Sequence, residues 1–512
     1  MFPLAFAAAL VALAWTVPDT PSLVSAFAGA AAVLVVWQAI LLVSGRARTF
    51  GIDVVLRPQH YVQVVVQTTV RVYWGWYWPT AASALPLMVA QLLFAYGFDM
   101  LLCWSRRDRY TLGFGPFPIV FSINLFLWFK PEWFAWQFVI VAAGLAAKEF
   151  LRWHRDGKLV HIFNPSSFPL AIASIALLVT GTTSLTWGPE IATTQFYPPR
   201  MYLLLYLVAL PGQLLFGVAS MTIPAVLSTY VFGLLYFYAT GIYFFYDSYI
   251  PISVFLGMHL LFTDPATAPR TELGRVIFGC LYGLSTVALY QLLGMFGMPA
   301  FYDKLLQVPV LNLMVRWLDR VATAPAMQWV NPARLWPELT GRRRNVAYMG
   351  AAAALFAGMS LAQGVGDRHP GQWLPFWRQA CSDDRAFACP YLADMTAGFC
   401  RRGSAWGCNE EGLLHLALAR SGEDLRRQDP EGAAEPLRRG CELGLAAACE
   451  NLRVLSTGQG AYRRVAPSMQ DWPIVLRGSK GPVTERDPGA LFAMACGQGW
   501  VEACIEPALA VE

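Results

Sequence analysis

Thirteen stretches of this chain are apolar enough to lie in a membrane, and no other feature narrows its fold as far. They run at about 4–17, 22–44, 61–79, 82–103, 112–130, 133–151, 166–182, 201–218, 223–241, 249–263, 272–295, 300–319 and 345–362. Crossing about 30 Å of hydrocarbon takes about 20 helical residues at 1.5 Å each. Backbone inside a bilayer must pair its own N–H and C=O groups, and a helix does so within one segment. The runs at 4–17 and 249–263 are short, and those at 61–79 and 300–319 carry charges, so about 11–13 spans are expected. With 56% apolar and 14% charged residues and a mean hydropathy of +0.44, the first two thirds cannot be a soluble globule. The expected class is all-α: a polytopic helical membrane domain followed by a small soluble α-solenoid. The first run lacks a basic leader and a long span follows it at once, so it is read as a retained helix and not as a signal peptide.

Orientation follows from basic loops, which stay on the cytoplasmic side. Arg46-Ala47-Arg48, Arg106-Arg107-Asp108-Arg109, Arg152-Trp153-His154-Arg155 and Arg342-Arg343-Arg344 all fall inside if there are thirteen crossings and an inside N-terminus. Dropping either charged run puts at least one cluster on the wrong side. The C-terminal segment then lies outside, in the periplasm of a bacterial inner-membrane protein.

After about residue 365 the chain turns charged and polar. Eight of its ten cysteines are here, in four copies of C-x7-C: Cys381/Cys389, Cys400/Cys408, Cys441/Cys449 and Cys496/Cys504. A straight helix would hold such a pair about 12 Å apart, and a disulfide needs the Cα atoms within about 7 Å. The pair closes only if the chain turns between them. Gly403, Gly444 and Gly499, each three residues past a first cysteine, supply that turn. Helix–turn–helix units stapled across their turns are the expectation, with zinc ligands or reduced core cysteines as the competing readings. The stretch Arg439-Gly440-Cys441 to Asn451-Leu452 resembles Sel1-like repeats of the disulfide-bonded kind. The irregular repeat starts leave 456–488 as an inserted loop rich in Gly, Pro and Arg.

Two phrases interrupt the apolar pattern: His161-Ile162-Phe163-Asn164-Pro165-Ser166-Ser167 and Thr263-Asp264-Pro265-Ala266-Thr267-Ala268-Pro269-Arg270. An Asx-Pro step forces irregular backbone, and at membrane depth such backbone survives only when buried in protein or lining a cavity. Asn and Asp also cap helices that begin with proline, which is compatible with a site. If four spans separate the phrases, both face the same side and close one cavity. Phe163, Asn164, Pro165 and Ser166, with Thr263, Asp264, Pro265 and Thr267, are the candidate ligand contacts. Arg270 and Arg275 are the nearest basic partners in sequence for Asp264.

The second phrase, continued through Arg270-Thr271-Glu272-Leu273-Gly274-Arg275-Val276-Ile277-Phe278-Gly279, resembles the signature of the D-type membrane protein of Rnf-type electron-transport complexes. It is similar also to the B-type membrane protein of the sodium-translocating NADH:quinone reductase, which belongs to the same family. The Asn164-Pro165 phrase resembles the paired Asn-Pro motif of that family, and Leu112 to Pro116 through Lys148-Glu149 resembles the segment leading into it. Arg57-Pro58-Gln59-His60-Tyr61 is similar to stand-alone relatives found beside enediyne biosynthesis genes. The resemblance covers roughly 56–320. It divides the chain into an added N-terminal transmembrane hairpin (1–55), the Rnf-like membrane domain (56–320), a cytoplasmic linker with a last span (321–365) and a periplasmic repeat domain (366–512).

The resemblance implies electron transfer with flavin (FMN or riboflavin) or quinone, inside a complex with other membrane or periplasmic proteins. It also implies one flavin joined through its phosphate to an outward threonine in a Gly/Ser-x-Ala-Thr motif. Here Ala192-Thr193 matches the end of that motif, making Thr193 the candidate, but Glu190 stands where glycine or serine belongs. A carboxylate near a phosphate dianion is repulsive, by about 1 kcal/mol at 4 Å in water. His60, His154, His161 and His259 make axial haem ligation conceivable, although no C-x-x-C-H exists. Trp74, Trp76, Trp78, Trp128, Trp133 and Trp136 are expected to form an interfacial belt. No phosphate-binding glycine loop, nucleophile elbow or zinc motif is present, and the charge fraction offers no nucleic-acid surface. Three functions compete: a redox component of a membrane complex, a non-catalytic scaffold recruiting periplasmic partners through the repeats, and a small-molecule transporter.

Overall fold

The computed structural model describes residues 2–17, 20–44, 50–335, 341–418, 430–468, 470–476, 478, 488–497, 500–501 and 503–504. Arg46-Ala47-Arg48 and Gly499 lie outside these. The protein is mostly helical. The apolar part holds α1 (Phe2–Ala14), α2 (Pro21–Val43), α3 (Pro58–Tyr77), α4 (Pro79–Ser83), α5 (Leu85–Trp104), α6 (Pro116–Phe126), α7 (Ala135–Phe150) and α8 (Ser167–Thr180). It continues with α9 (Gly188–Thr194), α10 (Met201–Phe216), α11 (Ala219–Thr240), α12 (Ile252–Leu260), α13 (Glu272–Met295), α14 (Gln307–Thr323), α15 (Pro332–Leu335) and α16 (Gly341–Leu361). Each of the thirteen apolar runs contains a helix. Four helical segments are long and apolar enough to cross a membrane: Pro21–Val43, Pro79–Trp104, Ala219–Thr240 and Glu272–Met295.

Two of the runs hold the shortest helices of the thirteen. α6 has 11 residues and α12 has 9, which at 1.5 Å per residue is about half of a bilayer's hydrocarbon. Leu127, with φ −155° and ψ 132°, takes the chain out of α6 as extended backbone. Helix ends leave carbonyls without partners, and side chains supply them here. Arg71 donates to Asn124 O at 3.1 Å, Gln195 to Leu125 O at 2.6 Å and Gln137 to Leu127 O at 3.4 Å. Arg71 lies against the Trp74 and Trp128 rings at 5.1 and 4.4 Å. Those two tryptophans are 0% and 2% exposed, so they are core and not belt, whereas Trp76 is 78% exposed.

The packing order repeats. α3 meets α6 as α10 meets α12, and α7 meets α8 as α13 meets α14; α3 packs on α10, and α8 on α14. In the series α3, α5, α6, α7, α8 and in the series α10 to α14, the third helix is the short one. Four short strands escape the all-α expectation: β1 (Gly51–Val54) parallel to β2 (Arg109–Leu112), and β3 (Arg152–Arg155) antiparallel to β4 (Lys158–His161).

The chain forms two compact units, Met1–Thr229 with Ile252–Gly358, and Tyr230–Pro251 with Met359–Glu512. In the second, α17 (Leu374–Ser382), α18 (Ala388–Arg401), α19 (Ala405–Leu418), α20 (Pro430–Glu442), α21 (Ala446–Thr457), α22 (Trp472–Val475) and α23 (Pro488–Gly497) follow one another, with α17 packed on α18, α18 on α19 and α20 on α21. All four C-x7-C pairs are disulfides, with Cα atoms 4.6, 4.4, 4.6 and 4.8 Å apart. Gly403 and Gly444 make the turns at φ 95° and 93°. In the first copy Asp384 takes the equivalent place at φ 53°. The Tyr230–Pro251 segment joins this unit through aromatic contacts, Tyr246 stacking on Tyr391 at 3.7 Å and Tyr243 lying 4.2 Å from the His369 ring.

Candidate functional site

The β3–β4 hairpin turns on Asp156 and Gly157, both at positive φ (51° and 71°), the geometry a two-residue hairpin loop requires. It ends on His161 and delivers the chain to Asn164. There the Asn164 Oδ1 accepts from Ser166 N (2.9 Å), Ser166 Oγ (2.8 Å) and Ser167 N (3.1 Å), capping the start of α8. The turn lies so close to α7 that a Cβ on Gly144 would meet Pro165 O at 2.3 Å. Only glycine fits at that crossing.

Asp264 closes the second turn in another way. Its Oδ1 accepts from Ala266 N at 3.0 Å and its Oδ2 from Thr267 Oγ1 at 3.1 Å. The turn caps no helix; α13 begins later, with Thr271 Oγ1 accepting from Gly274 N at 3.2 Å. Thr263 Oγ1 donates to His259 O at 3.0 Å, ending α12.

The two turns, about a hundred residues apart in sequence, meet. Asn164 Nδ2 donates to Leu261 O at 2.8 Å, which satisfies a carbonyl at the broken end of α12. His161 Nε2 lies 3.3 Å from Asp264 Oδ2. Buried Asn312 on α14 ties the turns together: its Oδ1 accepts from Asn164 N at 3.1 Å and its Nδ2 donates to Thr267 O at 3.2 Å. Burial would raise the Asp264 carboxyl, but the hydrogen bonds and charge of His161, with those from Ala266 and Thr267, hold it below its ordinary value. The partner of Asp264 is therefore His161 and not Arg270 or Arg275. Arg270 lies 3.5 Å from Asp156, and Arg275 donates to Pro269 O and Gly217 O. Asp319 anchors the far end of the loop instead, accepting from Arg270 N, Thr271 N and Arg155.

Between the turns lies a cavity of about 150 Å³, lined by Asn164, Pro165, Ser166, Thr263 and Asp264 from the two phrases, with His161. Phe163, Pro265 and Thr267 do not line it; Phe163 stacks on Phe168 at 4.4 Å. The other wall is His60, Gln63, Ser122 and Lys148; from the sequence His60 stood out only as a conceivable haem ligand, and none of the four as a contact of this cavity. Their signal was available: each is a polar residue within or beside an otherwise apolar helix. Thr193 stands apart on α9, its hydroxyl donating to Pro189 O at 3.0 Å, and it is Thr194 that meets Trp74 Nε1. Buried His259 has Nδ1 2.8 Å from Phe255 O. Among the described residues no group of three His, Cys, Asp or Glu side chains is arranged to hold a metal ion.

No protein-family model, curated protein or solved structure matches this chain.

Proposed function

We propose that this chain is a multi-pass component of a bacterial inner-membrane electron-transfer assembly that receives the head ring of a quinone between the Asn164 and Asp264 turns. The observation that carries the reading is that both turns line one cavity. A void of about 150 Å³ is the size that accepts benzene, so one six-membered ring fits there. The three fused rings of a flavin do not, unless they reach beyond it. Serine hydroxyl, glutamine amide, lysine ammonium and imidazole groups surround the void, and these are donors of the kind that ring carbonyl oxygens accept. A quinone bound there would supply reversible two-electron chemistry; the chain's own part is to hold the ring and exclude lipid. The resemblance to the membrane proteins of Rnf-type complexes and of the sodium-translocating reductase supports the same reading. Covalent flavin at Thr193 is not favoured, because Glu190 sits one helical turn away and α9 offers no cation beside it.

The topology belongs to this proposal. Arg107 and Arg152 converge on Glu149, β1 lies beside β2, Arg155 reaches Ala268 O and Asp319, and Arg344 pairs with Glu272 at 2.8 Å. These links tie the segments around Arg107, Arg152, Arg155 and Arg344 to one another, which supports reading them as one cytoplasmic face. The oxidised repeats then lie in the periplasm, where helix pairs offer a face to partner proteins.

The test is to extract detergent-purified protein with organic solvent and identify quinone and flavin by mass spectrometry. Asp264→Asn, which keeps shape but weakens the His161 contact, should lower bound quinone several-fold while the protein still inserts. If wild-type protein carries neither compound and binds no added quinone, the redox reading fails and the repeat-bearing scaffold takes its place.

A further inference from the structure

A second cavity, of about 250 Å³, adjoins the first and shares His60, Gly115 and Lys148 with it. Its charged walls are Arg57, Arg107, Arg109, Lys148 and Arg152 against Asp99 and Glu149, five basic side chains to two acidic. The acids are already committed. Asp99 accepts from Tyr110 at 3.1 Å. Glu149, 11% exposed, is shared by Arg106 at 3.2 Å and by Arg107 and Arg152. One carboxylate among three guanidiniums leaves positive charge in excess. Arg109 meets Asp53 only at 3.7 Å and in solvent, a contact worth little. Arg57, exposed to solvent, and half-buried Lys148 have no anionic partner among the described residues.

Helix dipoles do not account for this. α3 and α6 begin at the chamber while α5 and α7 end there, so their opposite partial charges largely cancel. Retention of basic residues at a cytoplasmic face explains charges that stand in water. That covers the exposed Arg57, Arg107 and Arg109, but not half-buried Lys148, which lines the chamber with no anion of its own and like charges around it, where they repel.

We infer that this chamber binds a phosphate group, held by Lys148 and Arg57 with the guanidiniums of Arg107, Arg109 and Arg152 around it. A net charge of about +3 attracts an oxyanion, whether a singly charged phosphodiester or a doubly charged phosphomonoester, and guanidinium forks suit the paired oxygens of a phosphate group. The phosphate can come from an anionic phospholipid headgroup of the adjoining leaflet or from a soluble phosphate ester. The inference stands whether or not a quinone occupies the first cavity.

Full-length protein in detergent would be titrated with phosphatidylglycerol against phosphatidylcholine, followed by native mass spectrometry, and with inorganic phosphate against chloride, followed by calorimetry. Selective retention of phosphatidylglycerol identifies a lipid source, and phosphate binding that weakens with added salt identifies a soluble one; either supports the assignment. The Arg57→Gln, Lys148→Gln double variant should lose about tenfold in affinity, and Lys148→Arg should keep it. If the double variant fails to fold, Arg57→Gln alone, which removes no recorded contact, should still weaken binding measurably. No preference for either anionic probe, or unchanged binding in a folded variant lacking these charges, overturns the assignment.

Discussion

Asn312→Ala should uncouple the two Asx-Pro turns while leaving each intact. Asn312 is fully buried, and its amide is a single link from Asn164 N to Thr267 O. Removing it strands one N–H and one C=O away from water, and each such group costs about 1–3 kcal/mol, so a loss of roughly 2–6 kcal/mol is expected. Asn312→Asp is the control. Protonated, its carboxyl can accept from Asn164 N and donate its O–H to Thr267 O, so at a pH where it is neutral the loss should fall between wild type and alanine. Melting of detergent-solubilised protein, followed by tryptophan fluorescence at one fixed scan rate because unfolding of such proteins is often irreversible, should fall by several degrees. Asp264→Asn combined with Asn312→Ala should show non-additive losses, since contacting networks couple by about 0.5–3 kcal/mol. A melting temperature unchanged within a degree, or strictly additive losses, would refute the idea that Asn312 joins the turns.

Mass spectrometry without reduction should show the four pairs Cys381–Cys389, Cys400–Cys408, Cys441–Cys449 and Cys496–Cys504. Free thiols or bound zinc at these positions would contradict it. Cys441→Ser with Cys449→Ser should cost about 2.5 kcal/mol by loop closure, the low end for a short loop, read as a lower midpoint in chemical denaturation. Asp384→Gly should stabilise by about 1 kcal/mol, the low end of the cost of left-handed backbone, because φ is 53° there and the next two copies already use glycine; a loss of stability would show that the Asp384 side chain has a role. Burial pushes His369 down to about 3, below its unfolded value near 6.5. Between those values the unfolded chain binds the extra proton, so stability should fall with pH by up to about 1.4 kcal/mol per unit below 6.5. His369→Gln should flatten that slope in melting curves taken from pH 7 to 5.

What the sequence reading reached was local chemistry. C-x7-C plus a glycine is a statement about nine residues, and the disulfides follow it closely, including Asp384 where the glycine is missing. Asn164 and Asp264 were legible as irregular backbone for the same reason, since proline acts on its immediate neighbour. Length was legible only in part: the run at 249–263 reads as short, whereas that at 112–130 does not. Hydropathy continues unbroken from α6 through Leu127 and Phe129, and from α12 through Leu261 and Phe262, so half-helices passed for spans. The four-residue strands carry too little pattern to show. Arg71, with a charge inside the 61–79 run, was read as a blemish in a span, whereas it serves the α6 carbonyls and turns Trp74 and Trp128 inward.

Partner choice was the least legible property. Nearest in sequence to Asp264 are Arg270 and Arg275, but the loop carries both away from it, and His161 arrives from a hairpin 103 residues back. The choice depends on which helices pack together, and the reason is visible in α12. A helix that stops early inside an apolar unit exposes carbonyls that something must satisfy; α6 takes Arg71, Gln137 and Gln195, and α12 takes the amide of Asn164. Asn164 therefore caps α8, closes α12 and lines the cavity at once, so Asn164→Ala must damage fold and site together. Asp264 ends no helix and caps none, and its hydrogen bonds stay within its own turn apart from that to His161. Asp264→Asn is thus the substitution that can separate what the cavity binds from what holds it together.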